Sequence, residues 1–293
     1  MDILVKDLST YKSYINSFPK RLNYSNKGTY KKVNLVGGSK NYLGAPLLSL
    51  NAYTTLCLGA GYACLSIPES LLQTYALHYP ELIYNLIDDK GTGKIKFNEE
   101  SLNEIMKYDV IAFGMGLGVS KQVYNSLKYI IENYEGKLLI DADGLNSLAK
   151  YGVEILKDHK CEIIITPHVK EFSRLLNKDE KEWMTEVKDE VLNFANEYNV
   201  TVVLKNNSTF VTDGKEIYLD YSAKPNLAKG GTGDVLSGLI AGFLTKDEST
   251  LAAGVHGVQF LSALSNYFYD INVDENTVTA SLLISKINEV LKK

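Results

Sequence analysis

Short apolar runs rich in β-branched residues recur along the chain. Each is followed by a turn and then by apolar positions at helical spacing. The runs at 33–36, 63–66, 110–113, 138–141, 163–166 and 202–205 predict strands. The stretches 45–58, 101–107, 121–133, 144–150, 170–176, 181–198, 234–244, 251–269 and 277–291 predict helices. Residues 7–17 read as a helical lead-in to a Lys/Asn/Ser-rich loop. Alternating β and α at this spacing predicts an α/β fold with a mainly parallel sheet covered on both faces. With no linker, low-complexity stretch or internal repeat, residues 1–293 are expected to form one domain.

The distinctive loops fall where the predicted strands end. Gly37-Gly38-Ser39 follows the first, Gly114-Met115-Gly116-Leu117-Gly118 the third, Asp141-Ala142-Asp143-Gly144 the fourth, Thr166-Pro167-His168 the fifth and Lys205-Asn206-Asn207 the sixth. The carboxyl ends of parallel strands share one edge of an open sheet, so these segments are expected to converge on a crevice.

The run Gly230-Gly231-Thr232-Gly233-Asp234-Val235-Leu236-Ser237-Gly238 feeds a glycine-rich loop into a helix. Glycine tolerates φ > 0, and a helix N-terminus offers unpaired N–H groups with partial positive charge, so the run can cradle an anion. Asp234 has two readings. It is a helix-dipole partner, or it is a base that takes the proton of a hydroxyl facing a phosphoryl group. Gly114-x-Gly116-x-Gly118 lacks the G-x-G-x-x-G spacing of a dinucleotide fingerprint and reads as a close-approach loop. Asp143 caps the following helix, or Asp141 helps position magnesium-bound water or phosphates. His168 is structural, or its N–H holds a ligand phosphate or amide. Lys205–Thr209 ends a strand and starts the polar turn of a solvated hairpin, or Lys205 faces phosphates while the backbone and the Thr209 hydroxyl contact a nucleotide.

Composition narrows the class. Apolar residues are 45%, charged residues 23% and the formal net charge is −4, so no global positive field favours nucleic acid or an anionic membrane. Three scattered cysteines, Cys57, Cys64 and Cys161, form no disulfide framework or zinc motif. The four histidines lack metal-ligand spacing. No signal peptide and no run of about 18 apolar residues is present, so a cytoplasmic location is expected.

With these segments in order, the chain resembles the ADP/ATP-dependent NAD(P)H-hydrate dehydratases, a branch of the ribokinase-like superfamily. The matching segments include Ser25-Asn26-Lys27-Gly28-Thr29-Tyr30, Gly37-Gly38-Ser39 with Tyr42 and Gly44-Ala45-Pro46, the glycine loop at 114–118, Asp141-Ala142-Asp143-Gly144-Leu145-Asn146, Thr166-Pro167-His168 with Glu171-Phe172, and Gly230 to Gly238. It departs from the family pattern at Asn26, Cys57, Met115, Asn206 and Asn226. The resemblance implies a three-layer sandwich that removes water from hydrated NADH or NADPH, coupled to cleavage of ADP or ATP with Mg²⁺. It implies Asp234 as the catalytic base. Ala45, Gly116, His168 and Asp234 would bind the hydrated cofactor. Lys205, Asn206, Asn207, Ser208, Thr209 and Gly233 would hold the AMP part of the nucleotide. Gly231, Thr232 and Gly233 would form the anion hole, and the metal ligands stay unassigned. A separate epimerase partner and a homotetramer are further implications. A small-molecule kinase of the same superfamily is the alternative, followed by a nucleotide-sensing module without turnover.

Overall fold

The computed structural model describes residues 3–8, 22–56, 61–77, 79, 82–246 and 249–292. Its strands are β1 (Val5–Asp7), β2 (Lys32–Val36), β3 (Tyr62–Pro68), β4 (Ile83–Ile87), β5 (Val110–Phe113), β6 (Lys137–Ile140), β7 (Glu162–Ile165), β8 (Thr201–Leu204), β9 (Thr209–Thr212) and β10 (Ile217–Asp220). Its helices are α1 (Gly44–Leu56), α2 (Leu72–Ala76), α3 (Glu99–Ile105), α4 (Lys121–Asn133), α5 (Asp143–Tyr151), α6 (Val169–Leu176), α7 (Glu180–Trp183), α8 (Val187–Tyr198), α9 (Thr232–Leu244), α10 (Thr250–Asp270), α11 (Ala280–Ser285) and α12 (Ile287–Leu291).

The described strands form one sheet in the order β1-β10-β9-β8-β7-β6-β5-β2-β3-β4. The run from β8 to β4 is parallel, β9 is antiparallel to both neighbours, and β1 pairs parallel to β10. The chain leaves β2 toward β3 and β4, then returns to β5 on the other side of β2. The order therefore reverses between β2 and β5, and ligand crevices form at such a switch point.

Residues with period two divide between the two faces. Val33, Leu35, Val110, Ala112, Leu139, Ile164 and Val203 face one core, shared with α9 and α10. Ile111, Phe113, Leu138, Ile140, Ile163, Ile165, Val202 and Leu204 face the other, shared with α4, α5, α6 and α8. Helix α9 is buried at every position from Val235 to Leu244. It approaches α1 so closely that a Cβ on Gly238 would lie 2.0 Å from the Ser49 carbonyl oxygen. On the other flank, a Cβ on Gly257 of α10 would lie 2.4 Å from Ile240. These contacts clamp α9 and fix where its N-terminus points.

Several expectations are corrected. Asp7 belongs to strand β1, not to a helix, and the rest of that lead-in lies outside the described residues. The helix expected over 181–198 breaks at a 3-10 turn, Met184–Glu186. The break follows Trp183, which is fully buried and donates to the Ser173 hydroxyl at 2.8 Å. The helix expected over 277–291 is a 3-10 turn (Glu275–Thr277) followed by α11 and α12. Strands β4, β9 and β10 were not expected, and Thr209 opens a strand instead of closing a polar turn.

Candidate active site

Strand ends keep their ladder for one residue beyond the sheet: Thr166 N–H donates to Ile140 O at 3.1 Å and Lys205 N–H to Pro167 O at 2.8 Å. His168 and Lys205 then form a parallel bridge. The five expected loops leave parallel strands on this one edge, and Lys205 makes the contact to the first turn of α9.

Lys205 carries its ammonium to the centre of this edge. Its Nζ lies 2.9 Å from Asp141 Oδ1, and the Asp141 side chain is only 3% exposed. The second oxygen, Oδ2, accepts from the Ser237 hydroxyl at 2.7 Å. Asp141 thus ties the lysine to α9, one turn past Asp234. A Cβ on Gly233 would lie 3.4 Å from Lys205 Nζ, so the cation sits over the first turn of α9. Burial works against the lysine's charge, but Asp141, Glu171 and Asp234 together raise its pKa above the ordinary value.

Asp234 occupies the third position of α9. Burial pushes its carboxyl up to about 7, reinforced by Asp141 and opposed by Lys205. Asp143 and Glu171 are also held above the ordinary carboxylate range, chiefly by burial. Several acids around one lysine cannot all ionise freely, so the site holds a carboxylate poised near neutral pH.

The helix start is built by local geometry. Gly231 has φ of 91°, and a Cβ there would lie 2.5 Å from Leu48 of α1. The Thr232 hydroxyl is turned back to the Leu227 and Lys229 carbonyls, both at 2.9 Å, and staples the loop. Its backbone N–H also points to the Lys229 carbonyl at 3.5 Å, so the expected place of Thr232 in the anion hole is not met by its hydroxyl or by an open N–H. The N–H groups of Gly233 and Asp234 take no acceptor among the described residues. Those are the donors an anion would meet.

His168 heads α6 in a capping box. Its Nδ1 accepts the Glu171 N–H at 3.2 Å, while Glu171 Oε2 accepts the His168 N–H at 2.9 Å. This bonding leaves the proton on Nε2 of the neutral ring. Burial first, then Lys205 and Arg174, lower the imidazole pKa and keep it neutral at pH 7. Phe172 anchors α6 beneath it, edge-on to Trp183 and Phe194 at 5.2 Å each.

A cleft of about 670 Å³ opens beside these groups. Its lining combines the polar His168, Lys205, Thr209 and Thr232 and the backbone of Gly233 with the apolar Leu227, Leu236, Val258 and Leu261. Asn206 and Asn207 also line it, whereas Ser208 does not. Ala45 and Gly116 meet each other at a separate point: a Cβ on Gly116 would lie 3.2 Å from Ala45 and 2.8 Å from Tyr42. Asp143 joins that point to the acidic cluster by accepting the Gly118 N–H at 2.7 Å. Between the two aspartates, Ala142 adopts φ of 50°, a strained value for a non-glycine residue that turns them to different partners.

Sequence reading did not single out Ser237, Leu236, Val258 or Leu261. Ser237 carries a usable signal, since it lies one helical turn from Asp234. The others look like ordinary core residues. Of the departures from the family pattern, Asn26 heads a capping box with Thr29, Met115 is fully buried, and buried Asn226 is bound to Ser265. Cys57 lies outside the described residues.

The donor set does not make a resident metal site. Both Asp141 oxygens are engaged, and among the described residues no three His, Cys, Asp or Glu side chains are grouped to hold an ion.

A mainly parallel sheet, an acid on a glycine-started helix and an ion-paired lysine over its first turn define an α/β protein with an anion cradle at its strand-end crevice. The NAD(P)H-hydrate dehydratase family profile matches residues 33–289. The chain belongs to that family. It is 33% identical over 227 residues to the bifunctional NAD(P)H-hydrate repair enzyme Nnr of Thermofilum pendens, covering 76% of this chain and 43% of that one. It is 32% identical over 278 residues to Nnr of Dictyoglomus turgidum, covering 91% and 52%. The chain thus spans about half the length of these relatives. Among solved structures, the ADP/ATP-dependent NAD(P)H-hydrate dehydratase of Bacillus subtilis, co-crystallised with ATP/Mg²⁺, superposes with a TM-score of 0.81 at 23% identity, covering 100% of this chain and 99% of that one. Hydroxyethylthiazole kinase of Pyrococcus horikoshii superposes with a TM-score of 0.59 at 17% identity, covering 90% and 89%. Both show the shared fold.

Proposed function

We propose that this protein repairs hydrated nicotinamide cofactors, converting hydrated NADH or NADPH to the intact dihydronicotinamide with cleavage of ADP or ATP. The observation that carries this reading is Asp234: a carboxyl pushed up to about 7, beside free backbone donors and the Lys205 ammonium. A base matched to neutral pH suits deprotonation of an alcohol. The nucleotide lies in the cleft, its adenine against Leu227, Leu236, Val258 and Leu261 and its phosphates toward Lys205 and the α9 N-terminus. The hydrated ring lies at Ala45, Gly116 and His168.

Hydroxide is a poor leaving group and phosphate is a good one. Asp234 takes the C6 hydroxyl proton as that oxygen attacks the terminal phosphoryl, and the bond to the lower nucleotide breaks. The Gly233 and Asp234 N–H groups and Lys205 stabilise charge on the transferring group. The ring nitrogen's lone pair then expels phosphate, and loss of the C5 proton restores the C5=C6 bond. Magnesium would arrive with the nucleotide and supply charge neutralisation to its phosphates, with no resident protein site among the described residues. Cytoplasmic location, a single ribokinase-like unit, a separate epimerase and tetrameric assembly belong to the same reading.

The test incubates the protein with hydrated NADPH and either ADP or ATP. Absorbance of the dihydronicotinamide should return with stoichiometric phosphate release. A stable phosphorylated product without that absorbance would instead establish a kinase, and nucleotide binding without turnover a sensor.

A further inference from the structure

The dehydratase reading seats the hydrated ring and commits the 670 Å³ cleft to the nucleotide. It leaves the other half of the dinucleotide, with its pyrophosphate and adenosine, without a surface. That surface has to be reachable from loop 114–118, where Gly116 lies.

A second cavity begins at the next residue. An open groove of about 510 Å³ is lined by Val119, Asn146, Ala149, Lys150, Arg174 and Asn177, with two cations and no carboxylate. Arg174 is one of only two arginines among 31 basic residues. A guanidinium fork matches phosphate geometry in a way an ammonium does not, so the rare arginine here stands out.

The groove is wired to the site. Arg174 Nη1 donates to Asn146 Oδ1 at 2.8 Å. Asn146 also lies close enough to Asp143 to oppose the rise in its pKa, and Asp143 accepts the Gly118 N–H at 2.7 Å. One polar chain therefore runs from the arginine to the loop that carries Gly116. His168 caps the helix on which Arg174 sits six residues later, which sets the two about 9 Å apart along the axis. Val119 and Ala149 add apolar surface for a base or ribose, and Val119 is 41% exposed.

We propose that this groove between α5 and α6 binds the phosphate-bearing adenosine half of the hydrated dinucleotide, with Arg174 and Lys150 as its anion contacts. The assignment rests on the dehydratase reading for the identity of the ligand. Substrate length is then read here, while the reacting ring is read at Ala45, Gly116 and His168.

The test is the double variant R174Q/K150Q, both positions being exposed. Initial rates are measured with hydrated NADH, with hydrated reduced nicotinamide mononucleotide, and over a range of ADP. Losing charged phosphate contacts should raise KM for the dinucleotide roughly 10- to 100-fold. KM for the mononucleotide and for ADP should stay at the wild-type values, with an unchanged thermal midpoint. An unchanged dinucleotide KM overturns the proposal, as does an equal rise for both hydrates. If the wild type turns over neither hydrate, the dehydratase reading fails. Calorimetric titration with NADH then decides the groove by itself: weaker binding by the variant supports it, and equal affinity overturns it.

Discussion

The loops at 114–118 and 230–234 are both glycine-rich and both border the crevice, yet they spend their backbone differently. In the first, Gly114 N–H donates to Val36 O at 3.1 Å, Gly118 N–H to Asp143, and the Met115 carbonyl accepts from Gly38 at 2.8 Å. A Cβ on Gly114 would lie 1.9 Å from the Asp141 carbonyl oxygen. In the second, a Cβ on Gly231 would lie 2.5 Å from Leu48, but nothing within 4 Å would meet one on Gly230, and only Lys205 Nζ would meet one on Gly233. The first loop is a wall whose glycines permit close packing. The second is a cradle whose glycines leave donors open. Glycine content alone does not separate packing from binding; the fate of the N–H groups does.

The largest effect that could break this contrast lies in the cradle. Asp234→Asn should lower kcat by about 10²–10⁴-fold, measured by phosphate release at saturating substrates. Near-normal turnover would remove Asp234 as the base. The same change should leave the fold intact or firmer. A carboxyl whose pKa is raised on folding contributes stability that is full below its unfolded value and is lost as pH rises through about 7. Urea midpoints at pH 8 should therefore be higher in the variant than in wild type, and the gain should vanish in acid.

In the wall the sign reverses. Gly114→Ala should cost about 3 kcal/mol of stability in urea denaturation, from the clash with Asp141 O and from φ of 127°. Asp141→Asn probes the link between the regions. It removes the negative neighbour of Asp234 and frees Lys205 to pair with it, so the Asp234 pKa falls. The acid limb of kcat/KM should move to lower pH, and Lys205→Met should move it to higher pH. Limbs that stay in place would show that these groups do not set the acidity. The smallest effect belongs to Gly233→Ala. Stability should change by less than about 0.5 kcal/mol while KM for the nucleotide rises, because the new methyl crowds Lys205 rather than backbone.

Much of the architecture was legible along the chain. Helix α4 runs from Lys121 to Asn133, the ends its apolar spacing predicts, and Ser120 caps it in the structure. Strands β2, β5, β6, β7 and β8 lie within a residue of their apolar runs. The β9–β10 hairpin carries a readable Asp213-Gly214 signal between its strands. Strand β1 carried none: three residues at a sheet edge pair with β10 some 210 positions away, and no local pattern encodes such a partner. The site divides in the same way. Gly231 and Asp234 could be named because a glycine turn and an N-terminal acid are local features. Ser237 offered only its place one helical turn from Asp234, and the groove at Arg174 offered nothing, because their partners come from other elements.

The sequence by itself determined which residues can take left-handed turns, where strands give way to helices, and that an acid stands third in a glycine-started helix. Those properties depend on neighbours a few residues apart. Only the tertiary structure decided that Asp234 is poised near neutral pH, that Lys205 is pinned between Asp141 and α9, and that Arg174 opens on the loop of Gly116. Acidity and ion pairing are set by burial and by charges a few ångströms away in space, and the 64 positions that separate Asp141 from Lys205 carry no trace of that distance.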